Sequence, residues 1–131
     1  MAKDTTKEVA QPRFEFDLLA RGGFPLQRFE ANTKIFVKDD PGKCMYVVRS
    51  GQVVILSGGT VLENIGPNGT FGEMALIDGG PRSATAVARE PTEVAVIDEK
   101  AFLYLVEKNP AFALDLLRRL TARLRRTTEY L

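Results

Sequence analysis

Hydrophobic and polar positions divide the chain into a strand-like first part and a helical second part. From Phe29 onward, short apolar stretches rich in β-branched residues alternate with turns that contain Gly, Pro, Asn or Asp. The predicted strands are Ile35–Val37, Met45–Leu56 with a bend at Ser50-Gly51, Val61–Ile65, Ala84–Ala88 and Glu93–Ile97. Many short strands at close spacing are typical of an antiparallel barrel or jelly roll. The expected fold is therefore mainly β, an antiparallel β-roll.

After the last strand the periodicity becomes helical. Asp98 is the expected N-cap of a helix that continues through Glu107, and Asn109-Pro110 provides the N-cap and first-turn proline of a long C-terminal helix that reaches about Leu131. The apolar side of that helix follows the alternating three- and four-residue spacing of a heptad seam, at Leu117, Leu120, Leu124, Thr127 and Leu131. This seam has two interpretations, packing against the chain's own roll or pairing with a second copy.

The same helix carries a run of arginines at positions 118, 119, 123, 125 and 126. Such a run suggests contact with nucleic acid or acidic lipid, but arginine also favours helix formation, and most runs of this size are solvated faces. We therefore expect no direct DNA binding.

Length and composition fit one domain. The chain has 131 residues with 44% hydrophobic content, enough for a core. Residues 1–12 are polar and predict a flexible leader, and Phe14–Leu19 predicts a short segment that covers one end of the core. We expect residues 13–131 to form a single domain, with the roll at about 29–97 and the C-terminal helices at about 98–131.

Charge and residue usage exclude several function classes. The net charge is +1, so no overall field attracts polyanions, and the sequence contains no histidine. A histidine-based metal site and histidine-dependent triads are thereby excluded, and we expect no metal, no cofactor and no enzymatic activity. The single cysteine, Cys44, forms no internal disulfide, and no long apolar stretch or signal peptide is recognisable, so a cytoplasmic location is expected.

The most informative stretch is Phe71–Ala86. Thr70 and Gly72 allow a tight turn, after which residues 73–77 have the composition of one short helix with exposed amide groups. Asp78-Gly79-Gly80-Pro81 then reverses the chain, so that Arg82, Ser83 and the amide of Ala84 face the same point. A guanidinium, a hydroxyl and several amides suit a phosphate.

Glu73 is unexpected beside a phosphate, because two negative groups repel each other. A sugar hydroxyl a few ångströms along the ligand would occupy its carboxylate, so the stretch predicts a site for a phosphate and a ribose. The alternative is a partly buried structural salt bridge between Arg82 and Glu73.

These residues resemble a known family. The run Phe71-Gly72-Glu73, then Ala75-Leu76, then Pro81-Arg82-Ser83-Ala84-Thr85-Ala86 is similar to the phosphate-binding cassette of cyclic nucleotide-binding domains. That family includes the bacterial catabolite activator protein, the regulatory subunit of cyclic-AMP-dependent kinase and nucleotide-gated channels. The resemblance implies a β-roll with flanking helices, here as a single bacterial-type domain, either complete or cut from a larger regulator or channel.

The resemblance also implies residue roles. The cyclic phosphate is expected at Arg82, assisted by Ser83 and by the amides of Ala84, Met74 and Ala75. The ribose 2′-hydroxyl is expected at Glu73 with the backbone of Gly72. The expected base contacts lie on the C-terminal helix, at Thr127, Thr128, Arg123 and Arg126.

Two function hypotheses result. In the first, the chain is a regulatory module that binds cyclic AMP or cyclic GMP and couples binding to movement of its C-terminal helix, as the family implies. In the second, it is a β-roll that binds no nucleotide and uses the helix to form a homodimer or to dock a protein partner. The sequence does not determine which cyclic nucleotide is preferred.

Overall fold

A computed structural model of the chain describes residues 23–129, with side chains up to residue 125. The predicted leader at 1–12 and the predicted segment at 14–19 lie outside these residues. The strands are β1 (Leu26–Phe29), β2 (Lys34–Phe36), β3 (Met45–Ser50), β4 (Val53–Ser57), β5 (Thr60–Ile65), β6 (Thr70–Phe71), β7 (Thr85–Ala88) and β8 (Thr92–Ile97). The helices are α1 (Glu73–Asp78), α2 (Glu99–Lys108) and α3 (Pro110–Glu129).

The strands form two four-stranded sheets, in the orders β1-β8-β3-β6 and β2-β7-β4-β5. Every neighbouring pair is antiparallel. The predicted antiparallel roll with a long C-terminal helix is confirmed.

Successive side chains of β3 and β8 point to opposite faces of their sheet, so the sheet contributes to two hydrophobic clusters. Met45 and Val47 pack with α2 and α3, around Leu105, Phe112 and Leu116. Their neighbours Tyr46 and Val48 point to the opposite side and pack between the two sheets. Because successive strand residues face opposite sides, an uninterrupted apolar run is what a strand covered on both faces requires.

Two strands differ from the prediction. The roll begins at Leu26 rather than at about Phe29, since β1 pairs with β8 from Leu26↔Ala95 to Phe29↔Thr92. Three of the four β1 residues are exposed, so no alternation marks this strand in the sequence. Strand β6 has only two residues, and its pairing with β3 is a tertiary contact that the local pattern could not indicate.

The two C-terminal helices begin where the sequence predicts. The Asp98 side chain accepts a hydrogen bond from the Ala101 amide at 2.8 Å, which is an N-cap contact. Helix α3 contacts the roll through Phe112 and Leu116, both buried. No helix among the described residues is long and apolar enough to cross a membrane.

Several leucines of α3 are largely exposed. Leu117 and Leu124 are 58% and 66% exposed, and Leu114 is 48% exposed. Phe112, Leu116 and Arg119 are buried residues of α3 that contact the roll, and none of them belongs to the predicted seam. Of the two interpretations, packing against the chain's own roll does not account for Leu117, which is 58% exposed.

Candidate cyclic nucleotide site

A cleft of about 540 Å³ lies where the predicted cassette meets β5 and α3. It is lined by the cassette residues, by one residue of α3 and by apolar side chains of the second sheet. The lining residues are Phe36, Ile55, Val61, Leu62, Glu63, Ile65, Phe71, Gly72, Glu73, Met74, Ala75, Arg82, Ser83, Ala84 and Arg123. All seven residues predicted to hold phosphate and ribose, together with Arg123, meet in this cleft.

The cassette backbone has the predicted shape. Gly72 has a left-handed conformation with φ of 81°, and helix α1 follows it directly. At the other end of α1, Gly79 is also left-handed, with φ of 71°, and its amide donates to the Ala75 carbonyl at 3.0 Å. The Asp78 side chain accepts from the Gly80 amide at 2.8 Å. These local contacts return the chain towards Arg82.

Arg82 is buried, with 4% of the residue exposed. Its Nη1 donates to the Cys44 carbonyl at 2.8 Å and to the Gly72 carbonyl at 3.1 Å, and its Nη2 contacts the Cys44 thiol at 3.7 Å. The guanidinium carbon lies 4.2 Å from the centre of the Phe36 ring and 5.6 Å from that of Tyr46. Neutral oxygens, a thiol and two aromatic faces therefore hold this cation.

The charge of Arg82 has no protein counter-ion among the described residues. The alternative of a structural salt bridge with Glu73 is not realised, because the described ion pairs involve neither residue. Arg82 Nε is moreover a buried donor without a hydrogen-bond partner in the described part of the chain. A buried, uncompensated guanidinium is costly, so the cleft is electrostatically suited to an anion.

Glu73 is buried as well, with 1% of the residue exposed. Its Oε2 accepts a hydrogen bond from the Thr70 hydroxyl at 3.0 Å. The same hydroxyl oxygen accepts from Arg119 Nη1 at 3.1 Å, which brings the C-terminal helix into contact with the cassette.

Besides the contact between Thr70 and Arg119, ion pairs of Glu63 on β5 connect the cleft to α3. Its Oε2 lies 2.6 Å from Arg119 Nη2 and its Oε1 lies 2.6 Å from Arg123 Nη2. Sequence reasoning missed Glu63 and missed the contact between Thr70 and Arg119. Arg119 follows Phe112 and Leu116 at helical spacings of seven and three, so its position on the buried face of α3 was the available signal.

The arginine run is therefore not a uniform solvated face. Arg119 and Arg123 pair with Glu63, and Arg118 lies 3.6 Å from Asp115 one turn earlier. Only 7% of Arg119 is exposed, so that residue belongs to the helix contact with the roll.

Of the other predicted site residues, Ser83 is an exposed residue of the cleft lining, and three lie beyond residue 125, the last whose side chain is described. Ser83 is exposed, and its hydroxyl lies 3.8 Å from the Met74 sulfur. The side chains of Arg126, Thr127 and Thr128 fall beyond the described side chains, so their predicted base contacts stay predictions. Among the residues from 23 onward whose side chains are described, no cluster of three carboxylate or thiol groups could hold a metal ion.

Three aromatic rings cluster next to Arg82. Tyr46 stacks on Phe71 with ring centres 5.0 Å apart, and on Phe36 at 6.0 Å. Burial, with a smaller contribution from Cys44, raises the pKa of Tyr46 to about 12. The phenol is therefore neutral at physiological pH and does not compensate the charge of Arg82.

The two-sheet roll and the cassette together are features by which a protein family can be identified. The sequence model of the cyclic nucleotide-binding domain matches residues 26–109, more than half of the chain. The chain belongs to the cyclic nucleotide-binding domain family, as the resemblance implied, and this domain is a binding module.

The chain is similar in sequence and in structure to several known proteins of this family. The chain is 38% identical over 112 residues to the "Cyclic AMP receptor protein" of Thermus thermophilus, a match that covers 82% of this chain and 52% of that protein. It is 34% identical over 76 residues to the "cAMP-dependent protein kinase regulatory subunit" of Yarrowia lipolytica, covering 58% of this chain and 20% of that one. The crystal structure of the Thermus thermophilus catabolite activator protein superposes with a TM-score of 0.76 at 35% identity, over 87% of this chain and 56% of that one. The chain thus spans about half or less of the length of these relatives.

Proposed function

We propose that this chain is a regulatory domain that binds a cyclic nucleotide in the cleft between the cassette and α3. The observation that carries the proposal is the buried charge of Arg82, which lacks a counter-ion among the described residues and has an unpartnered Nε. A bound phosphate would supply the missing negative charge at the point where burial makes the interaction strongest.

In this proposal the ligand lies across the cassette. Arg82 neutralises the cyclic phosphate, with the Ser83 hydroxyl and the amides of Ala84, Met74 and Ala75 as further donors. Glu73 accepts the hydrogen of the ribose 2′-hydroxyl next to the Gly72 backbone. Opposite charges at the two ends of the site fix the orientation of the nucleotide, because the phosphate is repelled by Glu73 and attracted by Arg82.

We propose cyclic AMP as the preferred ligand, with cyclic GMP as the competitor to test. Two of the relatives carry cyclic AMP in their names. The base would lie between β5 and α3, where Val61 and Leu62 supply apolar contact and Arg123 lines the cleft. Thr127, Thr128 and Arg126 are the further proposed base contacts from the end of α3.

Binding is coupled to α3 in this proposal. The helix already touches the cleft through Arg119 and Arg123, so a base that packs between β5 and the helix changes the free energy of the helix position. A ligand shifts that equilibrium only by its differential affinity for the two positions, and a shift from 1:99 to 99:1 needs roughly a 10⁴-fold difference.

Calorimetric titration of the purified chain with cyclic AMP and with cyclic GMP tests the proposal. Saturable binding that is lost in Arg82→Ala supports it, and the relative affinities identify the preferred base. Arg89→Ala is the matched control, because Arg89 is an exposed arginine that does not line the cleft. No heat from either nucleotide at millimolar concentration, with the chain folded, would contradict the proposal.

A second candidate function rests on the exposed leucines of α3. Leu114 and Leu117 are about half or more exposed although they are large and apolar, and such residues at seam spacing suit a helix partner, either a second copy or another protein. The molar mass of the chain in sedimentation, with Leu117→Glu as the disrupting variant, tests self-association. We expect no nucleic acid at this helix, because Arg118, Arg119 and Arg123 are paired with carboxylates.

A further inference from the structure

We propose that Thr70 is a positioning residue that fixes the carboxylate of Glu73, and thereby sets how strongly the site discriminates a ribose from a 2′-deoxyribose. The inference rests on the proposed function, because it assigns the ribose to Glu73. It adds two residues, Thr70 and Arg119, for which the cassette pattern predicts no part in nucleotide recognition.

The direction of the hydrogen bonds is determined by chemistry. A guanidinium can only donate, so in the 3.1 Å contact between Arg119 Nη1 and the Thr70 hydroxyl the oxygen of Thr70 must accept. A hydroxyl has one hydrogen, and in this arrangement it is directed to Glu73 Oε2 at 3.0 Å. A carboxylate can only accept and the guanidinium offers no competing acceptor, so the Thr70 hydrogen is left for Glu73.

Burial makes this arrangement rigid. Thr70 is fully buried, Glu73 is 1% exposed and Arg119 is 7% exposed, so water cannot easily replace any partner. Arg119 is fixed in turn by Glu63, at 2.6 Å from its Nη2. Hydrogen bonds inside a region of low dielectric polarise one another and hold their members in one geometry.

The consequence concerns the two oxygens of Glu73. Oε2 is occupied by Thr70, which leaves Oε1 as the acceptor for a ligand hydroxyl from the cleft that Glu73 lines. A carboxylate held at one oxygen is preorganised, so little rotational freedom is lost when the 2′-hydroxyl binds. Without Thr70 the carboxylate can rotate, and the selectivity for ribose falls.

The test compares the affinities of cyclic AMP and 2′-deoxy-cyclic AMP for the same variants, by calorimetry. In the unmodified chain the deoxy ligand should bind roughly tenfold or more weakly, because it leaves a buried charged acceptor without its donor. In Thr70→Val, which keeps the shape and removes the hydroxyl, the ratio should fall to within roughly threefold. Thr70→Ser keeps the hydroxyl and should keep the ratio.

Thr92→Val is the matched control. Thr92 is also buried, and its hydroxyl makes hydrogen bonds to the backbone at Gln52 and Glu90, but it does not line the cleft. This variant should lose stability and leave the affinity ratio unchanged. Thermal unfolding of each variant verifies that the chain is folded before titration.

Arg119→Gln keeps the proposal testable if Thr70→Val does not fold. The amide oxygen of glutamine can accept the Thr70 hydrogen in competition with Glu73, so the hydrogen bond to Glu73 weakens and the affinity ratio should fall. An unchanged ratio in a folded Thr70→Val or Arg119→Gln chain, with cyclic AMP still bound, would overturn the inference and leave the proposed function intact. Failure of the unmodified chain to bind cyclic AMP would instead contradict the proposed function.

Discussion

Gly42→Ala should displace Arg82 without touching the cassette sequence. A Cβ at position 42 would lie 2.3 Å from Arg82 Nε and 2.5 Å from Cζ, whereas ordinary contacts begin at 3.4 Å. The guanidinium would therefore have to retreat by about 1.1 Å, the difference between 3.4 and 2.3 Å. The guanidinium also lies 4.2 Å from the centre of the Phe36 ring, and its Nη1 is held by the carbonyls of Cys44 and Gly72.

The expected cost follows from those two hydrogen bonds. Bonds that involve a charged group contribute about 1.5–3 kcal/mol each, so loss of one of them costs about 1.5–3 kcal/mol. Position 42 does not have positive φ, so alanine is not strained there and gains about 0.4–1 kcal/mol from the less flexible unfolded chain. The net free energy of unfolding should fall by about 0.5–2.5 kcal/mol, and the affinity for cyclic AMP should fall roughly tenfold to a hundredfold.

Chemical denaturation and calorimetric titration measure these two effects. Gly66→Ala is the matched control, since the nearest neighbour of its Cβ would be the Gln52 side chain, at 2.9 Å, and neither residue lines the cleft. In an Arg82→Ala background, Gly42→Ala should have little further effect on affinity. Unchanged affinity in the single Gly42→Ala variant would refute the reasoning that a fixed Arg82 binds the nucleotide.

Further predictions concern pH, core packing and helix capping. Burial raises the pKa of Tyr46 from 10.0 to about 12, so the neutral phenol contributes its full stability below pH 10, and roughly 2–3 kcal/mol of the free energy of unfolding should be lost as the pH rises through 12. Denaturation curves of Tyr46→Phe should lack this loss. Equal losses in both chains would contradict the assignment to Tyr46. Leu116→Ala should lower the free energy of unfolding by about 2–5 kcal/mol because the side chain is buried. Leu117→Ala, at the adjacent exposed position, should change it by less than about 0.5 kcal/mol. Equal effects in urea denaturation would contradict the orientation of α3, in which Leu116 faces the roll and Leu117 faces away from it. Asp98→Ala should lower the melting temperature through loss of about 0.5–2 kcal/mol of capping energy, and Asp98→Asn should retain most of it.

The features that the sequence predicted correctly are local. The Asp98 cap depends on residues three positions apart, and the cassette turn depends on Gly72 and on the stretch 78–81. Such contacts are encoded in adjacent residue types, because glycine adopts left-handed conformations readily and aspartate accepts from nearby amides. The family resemblance rests on the same short stretch.

The features that were missed are distant in sequence. Arg119 and Arg123 are 56 and 60 residues from Glu63, and Arg119 is 49 residues from Thr70. The arginine run alone does not identify the partner of any of its residues, and only the helical spacing of Arg119 from Phe112 and Leu116 places it on the buried face of α3. The two-residue strand β6 was missed for the same reason, because only its partner β3 defines it as a strand.

The cleft contains two buried charges of opposite sign that do not pair with each other. Glu73 is held by the Thr70 hydroxyl, and Arg82 is held by backbone carbonyls and aromatic rings. If these residues served only stability, a direct ion pair would compensate both charges, since an isolated buried charge is far more costly than a paired one. Separate anchoring instead presents a cation and an acceptor to the same space, which is what a ligand with a phosphate and a neighbouring hydroxyl requires. This arrangement favours a binding site over a structural remnant of one.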